Sequence, residues 1–179
     1  MIVEYHRPAT LEEALRLLER SQPFTAPLGG GTALNRLIRG EAAVVDLQDL
    51  GLDIFQTQGN SLLLGATLSL QKLLEQLGVQ PMAEELRKVI LHEATYNLRQ
   101  VATVAGTLVA ASGRSPFATA LLALDAEMTL ASGEEILSLG DLLPLRTERL
   151  RGRIITQVAL PLNVRLVYEY VARTPADQP

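Results

Sequence analysis

Apolar residues follow one rhythm up to about residue 50 and another after it. Ile2 to Tyr5 alternates weakly and predicts a strand, which Pro8-Ala9 interrupts. Thr10-Leu11-Glu12-Glu13 has capping-box spacing, with Thr10 as cap and Glu13 reaching back. Leu11, Ala14, Leu15 and Leu18 then fall on one helical face. Phe24 to Pro27 predicts a second short strand, and three glycines follow it. Leu34, Leu37 and Ile38 trace a second amphipathic helix that stops at Gly40. Ala42 to Val45 is unbroken in apolar residues, the pattern of a strand covered on both faces. Strand, helix, strand, helix, strand predicts a small parallel unit. Its glycine turn lies at a strand's C-terminal end, where open parallel sheets bind ligands.

After Leu50 the pattern becomes antiparallel. Ile54 to Thr57 and Ser61 to Leu64 flank Gln58-Gly59-Asn60, a hairpin signal. Ser69 caps a predicted helix carrying Leu70, Leu73, Leu74 and Leu77, and a second begins near Met82 with Leu86, Val89 and Ile90 inward. Thr95 to Ser115 has weak periodicity and many small residues, and residues 102–115 read as a long loop. Ser115-Pro116 starts another helix, which runs through Leu124. Glu127 to Ala131 and Glu134 to Leu139 predict a hairpin around Ser132-Gly133, and Arg153 to Leu160 and Arg165 to Ala172 predict two more strands. The fold class is α+β. A small parallel βαβαβ lobe over residues 1–53 precedes a larger, mostly antiparallel lobe with helices over residues 54–174.

Two bare stretches of main chain carry the candidate chemistry. Gly29-Gly30-Gly31-Thr32, between a strand and a helix start, aims backbone N–H groups into one concavity at the positive end of a helix dipole. That geometry receives a phosphate, although the spacing matches neither a Rossmann fingerprint nor a Walker A loop. The 102–115 stretch lets a backbone approach a flat ligand, or else is a tightly packed crossover whose small residues touch other backbone. One such stretch per lobe suits an elongated ligand in the crevice between them.

Composition narrows the classes. The chain has 179 residues, 47% apolar and 20% charged, with formal net charge −4. No basic stripe exists for a nucleic-acid backbone, and there is no Trp for base stacking. The absence of cysteine excludes disulfides, thiolate catalysis and cysteine-held iron–sulfur clusters within the chain. No apolar run approaches a membrane span, and the expected location is cytoplasmic. His6 and His92, the two histidines, have no ligand spacing, and no metal site is expected. No catalytic acid–base pair is expected either: Glu84-Glu85 and Glu134-Glu135 point to different faces. Asp125 and Glu127 are expected on one strand face at a solvated strand start. The arginines from Arg146 to Arg153 read as solvated surface, Arg114 as a loop cation or a phosphate contact, and Tyr96 as either a stacking ring or a buried aromatic.

Asn97 to Thr107, then Ala110-Ala111-Ser112 and Leu121 to Glu127, resemble the FAD-binding subunit or domain of the molybdenum hydroxylases, which include xanthine dehydrogenases and carbon monoxide dehydrogenase-like enzymes. Gly30-Gly31-Thr32-Ala33-Leu34 is similar to that family's G-G-T-D-L, and Val45-Asp46-Leu47 to its V-D-L. Ile154 to Thr156, Tyr168-Glu169 and Pro175 to Asp177 resemble the end of its FAD lobe. The resemblance implies a two-lobed FAD domain acting in electron transfer. Its expected partners are a molybdopterin subunit and a 2Fe–2S subunit, in a heterotrimer that could itself pair. Carried over by position, Leu28, Gly29, Gly30, Gly31, Thr32, Ala33 and Leu34 would cradle the pyrophosphate. Arg99, Thr103, Val104, Ala105, Gly106 and Thr107 would line the flavin and its ribityl chain. The family's further C-terminal domain is expected to be absent.

The chain departs from the pattern at Ala33, Ala105, Thr107, Gly113, Pro116 and Tyr170. Each lost hydrogen-bond acceptor would weaken binding by roughly 1–3 kcal/mol if it left a ligand group buried and unpaired. The alternative reading is therefore a scaffold that keeps the fold and its partner surfaces without flavin.

Overall fold

The computed structural model describes residues 1–34, 38, 40–131 and 135–172. Residues 2–50 contain β1 (Ile2–His6), α1 (Leu11–Leu18), β2 (Phe24–Leu28), β3 (Ala42–Asp46) and a 3₁₀ turn at Gln48–Leu50. The strands are parallel in the order β1-β3-β2. Every residue of the central strand β3 is buried, which is why Ala42–Val45 is unbroken in apolar side chains and the strand's one charge, Asp46, stands at its end. Thr10 caps α1, its Oγ1 accepting from the Glu13 N–H at 3.2 Å. Most of the helix expected from Leu34 to Gly40 lies outside the described residues.

The larger lobe holds β4 (Phe55–Gln58), β5 (Ser61–Gly65), α2 (Leu70–Gln76), α3 (Ala83–Glu93), α4 (Tyr96–Val101), α5 (Val104–Ala110) and α6 (Pro116–Ala123). β6 (Glu127–Leu130), β7 (Glu135–Ser138), α7 (Leu139–Arg149) and β8 (Ile155–Pro161) complete it. The sheet is antiparallel in the order β4-β5-β8-β6-β7. Its apolar face, including Leu62, Leu64, Val158 and Leu160, packs under Leu73, Ile90, Leu108, Phe117 and Leu121 of the helices. Each such side chain contributes roughly 1.5–3 kcal/mol on full burial. A smaller cluster joins Ala14, Leu18 and Val45 to Ala131 and Ile154, so an apolar seam holds the two lobes together.

Four expectations need correction. Residues 104–110 form a helix rather than loop. Thr103 caps it, its Oγ1 accepting from the Gly106 N–H at 3.1 Å, and the small side chains let α5 lie directly on β5 and β8. Helix α7 was hidden by Pro144 in its middle, although Ser138 caps it through the Asp141 N–H at 3.1 Å. Its Arg149, together with Arg153, meets Glu135 at 3.7 and 2.5 Å, so these arginines are paired as well as solvated. Residues 165–172 are not a strand: Leu166 and Tyr168 turn inward in alternation onto the core without pairing to the sheet. The Tyr168 N–H donates to Glu85 of α3 at 3.2 Å. Asp125 takes a left-handed turn (φ 49°) ahead of β6, so it does not share a strand face with Glu127. The turn at Ser132-Gly133 lies outside the described residues, but β6 and β7 do pair antiparallel.

Candidate dinucleotide cleft

The three-glycine turn leaves β2 and meets the joint between α4 and α5. A Cβ built on Gly30 would lie 1.6 Å from the Val101 carbonyl oxygen, and one on Gly29 would lie 2.8 Å from Thr103 Oγ1. Gly30 therefore permits main chain from one lobe to touch main chain from the other, and Gly29 makes room for the Thr103 side chain. Gly31 has φ 72°, a left-handed conformation that glycine tolerates. The N–H groups of Gly30, Gly31, Thr32 and Ala33 donate to no acceptor among the described residues. The turn is braced from behind. Leu47 N donates to the Leu28 carbonyl at 3.0 Å, and Gln48 Nε2 donates to the Gly29 carbonyl at 3.3 Å. Buried Asp46 holds the Gln48 N–H at 3.0 Å and accepts from the Tyr5 hydroxyl, a bond that pushes the Tyr5 phenol above its ordinary pKa.

On the other side, residues 102–105 are pinned to the chain below them. Leu70 N donates to the Ala102 carbonyl, Val104 N to Leu68 and Ala105 N to Ala66, at 2.8, 2.9 and 3.1 Å. Val104 and Ala105 are buried and their N–H groups are spent, as are those of Gly106 and Thr107 on Thr103. Arg99 is also buried. Its guanidinium donates to the Ala94 carbonyl at 2.6 Å and to Gln71 at 3.2 Å, and stands 5.9 Å from the exposed Tyr96 ring. Of the second stretch, Ala102, Thr107, Ala110 to Ser112, Arg114 and Ser115 line an open cleft of about 380 Å³, and Thr32 of the glycine turn lines the same cleft. Thr103, Val104, Ala105 and Arg99 support its wall from inside. Leu28 and Leu34 are half-buried flanks of the turn.

Three lining residues escape a sequence reading, His92, Glu93 and Ala94 at the end of α3, and they face Ser115 at the cap of α6. Glu93 Oε2 accepts from Ser115 Oγ at 2.8 Å and from the Phe117 N–H at 2.9 Å. His92 Nδ1 is 3.2 Å from the Tyr168 hydroxyl, and Tyr170 packs edge-on to its ring at 4.2 Å. Burial raises the Tyr168 phenol above its ordinary pKa, helped by Tyr170 and Glu93. The Ser115-Pro116 helix start was the one sequence signal near these groups.

Residues 1–163 match the sequence profile of the family described as the FAD binding domain in molybdopterin dehydrogenase. The chain belongs to that family. It is 34% identical over 157 residues to the uncharacterized protein YgfM of Escherichia coli strain K12, covering 87% of this chain and 59% of YgfM. It is 27% identical over 189 residues to the glyceraldehyde dehydrogenase medium chain of Sulfolobus acidocaldarius, covering 97% of this chain and 65% of that one. The fold matches quinoline 2-oxidoreductase from Pseudomonas putida 86 with a TM-score of 0.85 at 24% identity, over 98% of this chain and 65% of that one. It also matches the reconstituted CO dehydrogenase of Oligotropha carboxidovorans with a TM-score of 0.81 at 23% identity, again over 98% and 65%. The chain thus spans about three-fifths to two-thirds of the length of these relatives. Family membership assigns FAD as the cofactor.

The residues present suit such a group. Unspent N–H groups around a left-handed glycine offer an anion a neutral cradle, and a cleft of about 380 Å³ falls within the range of small-molecule and cofactor sites. Among the described residues no group of side chains could hold a metal ion, and no helix is long and apolar enough to cross a membrane.

Proposed function

We propose that this chain is the FAD-holding, electron-transferring part of a molybdopterin-dependent hydroxylase or dehydrogenase. It would stand between a 2Fe–2S partner subunit and an external acceptor, with a molybdopterin subunit carrying substrate oxidation. One observation supports this most: Thr32, beside the unspent N–H groups, lines the same cleft as Thr107. Lobes 1–53 and 54–174 then act as the two jaws of one site. Gly30 to Ala33 would receive the pyrophosphate through N–H groups rather than lysines. Thr107 and Ala110 would form a small-residue floor, with Thr103, Val104, Ala105 and Gly106 holding that floor against the sheet. Bound FAD supplies the redox chemistry, and the protein orients the cofactor and tunes it.

The alternative, a scaffold without flavin, draws on the spent N–H groups of residues 104–107, which leave that segment few polar contacts to offer. Calorimetric titration of the full chain with FAD and with ADP, read beside the visible flavin band, separates the two. The proposal expects saturable FAD binding, tighter than ADP binding. Colourless protein with no FAD isotherm supports the scaffold.

A further inference from the structure

We propose that Glu93 accepts a hydrogen bond from a hydroxyl of the sugar portion of the bound dinucleotide. The inference rests on the FAD reading above and concerns a residue outside both glycine-rich stretches. Glu93 is the one carboxylate among the residues lining the cleft. Its two oxygens have different duties. Oε2 is occupied by Ser115 Oγ and the Phe117 N–H, whereas Oε1 has no hydrogen-bond partner among the described residues. An ionised carboxylate offers about four acceptor sites, so half of its capacity remains open. The segment that follows α5 supplies no substitute, because Ser112, Gly113, Arg114, Ser115 and Pro116 include no acidic side chain.

The charge is tolerable beside an anionic ligand for two local reasons. The Glu93 carboxylate, from the end of α3, meets the N-terminus of α6, where the helix dipole favours a negative group, and Arg114 lines the same cleft. A carboxylate repels phosphate and can receive only donors. The pyrophosphate therefore belongs to the glycine turn, and the hydroxyl-rich part of the ligand belongs to Glu93. The shared chemistry, a sugar hydroxyl, occurs both in the ribose of the adenosine half and in the ribityl chain of the flavin half.

The test uses E93Q in the full chain. The amide oxygen of the substituted side chain must face the Phe117 N–H, since an NH₂ group there would oppose a donor. That orientation preserves the helix cap and turns NH₂ toward the open side. FAD, ADP and FMN are titrated into wild type and E93Q by calorimetry, with thermal midpoints measured alongside. The expected result is FAD binding about five- to tenfold weaker in E93Q, the difference between a charged and a neutral acceptor, with the midpoint nearly unchanged. A parallel loss for ADP assigns the ribose hydroxyls; a parallel loss for FMN alone assigns the ribityl chain. Either supports the inference. Should E93Q not fold, E93D keeps the charge but draws the oxygens back by one methylene, and the same loss is expected. Unchanged FAD affinity overturns the inference, as does a loss of affinity that merely tracks lost thermal stability, which would leave Glu93 as a helix cap. Failure of wild type to bind FAD overturns the proposed function itself, and this inference with it.

Discussion

Replacing Gly30 with alanine tests whether the glycine turn is a contact between lobes as well as a ligand cradle. The added Cβ would lie 1.6 Å from the Val101 oxygen, 2.5 Å from its carbonyl carbon and 3.2 Å from Ala102 N. A carbon and an oxygen settle at about 3.3–3.6 Å, so roughly 2 Å of separation is required. A Cβ has no rotamer, and the obstacle is backbone held by the Leu70 N–H bond to Ala102 O at 2.8 Å. The turn and the α4–α5 joint must therefore move apart as units. Forced overpacking costs about 1–3 kcal/mol and occasionally more; at 3 kcal/mol a chain of this size loses about 6–12 °C of thermal midpoint. G31A meets only a Leu28 methyl at 3.3 Å, but at φ 72° it costs about 1–2 kcal/mol. G113A meets nothing within 4 Å and should be neutral or slightly stabilising. The assay is thermal and urea denaturation of the three variants beside wild type. A G30A midpoint equal to that of G113A would refute the claim that the lobes touch through this glycine.

Acidification should loosen the small lobe first. Hydrogen bonds from Arg20, then His6, bring the Glu4 carboxyl down to about 2. Arg7, Lys72 and Lys88 likewise lower Asp49, Asp53 and Glu85. Carboxyls with depressed folded pKa values stabilise the protein fully above the unfolded value, about 4.3, and lose that contribution as pH falls toward 2. Urea midpoints should thus fall between about pH 5 and pH 2, with a shallower slope in E4Q; identical slopes would show that Glu4 adds nothing to this acid sensitivity. Truncating the buried Arg99 to methionine should cost about 1–3 kcal/mol, because the Ala94 carbonyl loses its 2.6 Å donor. In the same denaturation assay, a neutral R99M would show that this carbonyl finds another partner.

Strands and capped helices were legible because their signals are local. The continuous Ala42–Val45 run, Thr10, Ser69 and Ser115-Pro116 each report their own environment. Residues 102–115 were ambiguous because a bare sequence reads alike whether it faces a ligand or a neighbouring backbone; here Val104 and Ala105 are bonded to backbone, whereas Thr107 and Ala110 to Ser112 face the cleft. The strap at Leu166 to Tyr168 shows the limit of alternation, which records one-sided burial but not whether the segment pairs to a sheet. Glu93 was invisible for a different reason. Its neighbour Ser115 is 22 residues away, and nothing in its local pattern separates it from the exposed Glu84 of the same helix.

The central claim is that the turn after β2 and the segment from α5 to the start of α6 close on one ligand. Hydrogen–deuterium exchange of the full chain with and without FAD measures this most directly. Added FAD should slow exchange at Gly30 to Ala33 and also at Ala110 to Ser115, while Val104 and Ala105, already bonded, change little. Protection confined to one lobe, or appearing only away from both segments, contradicts it.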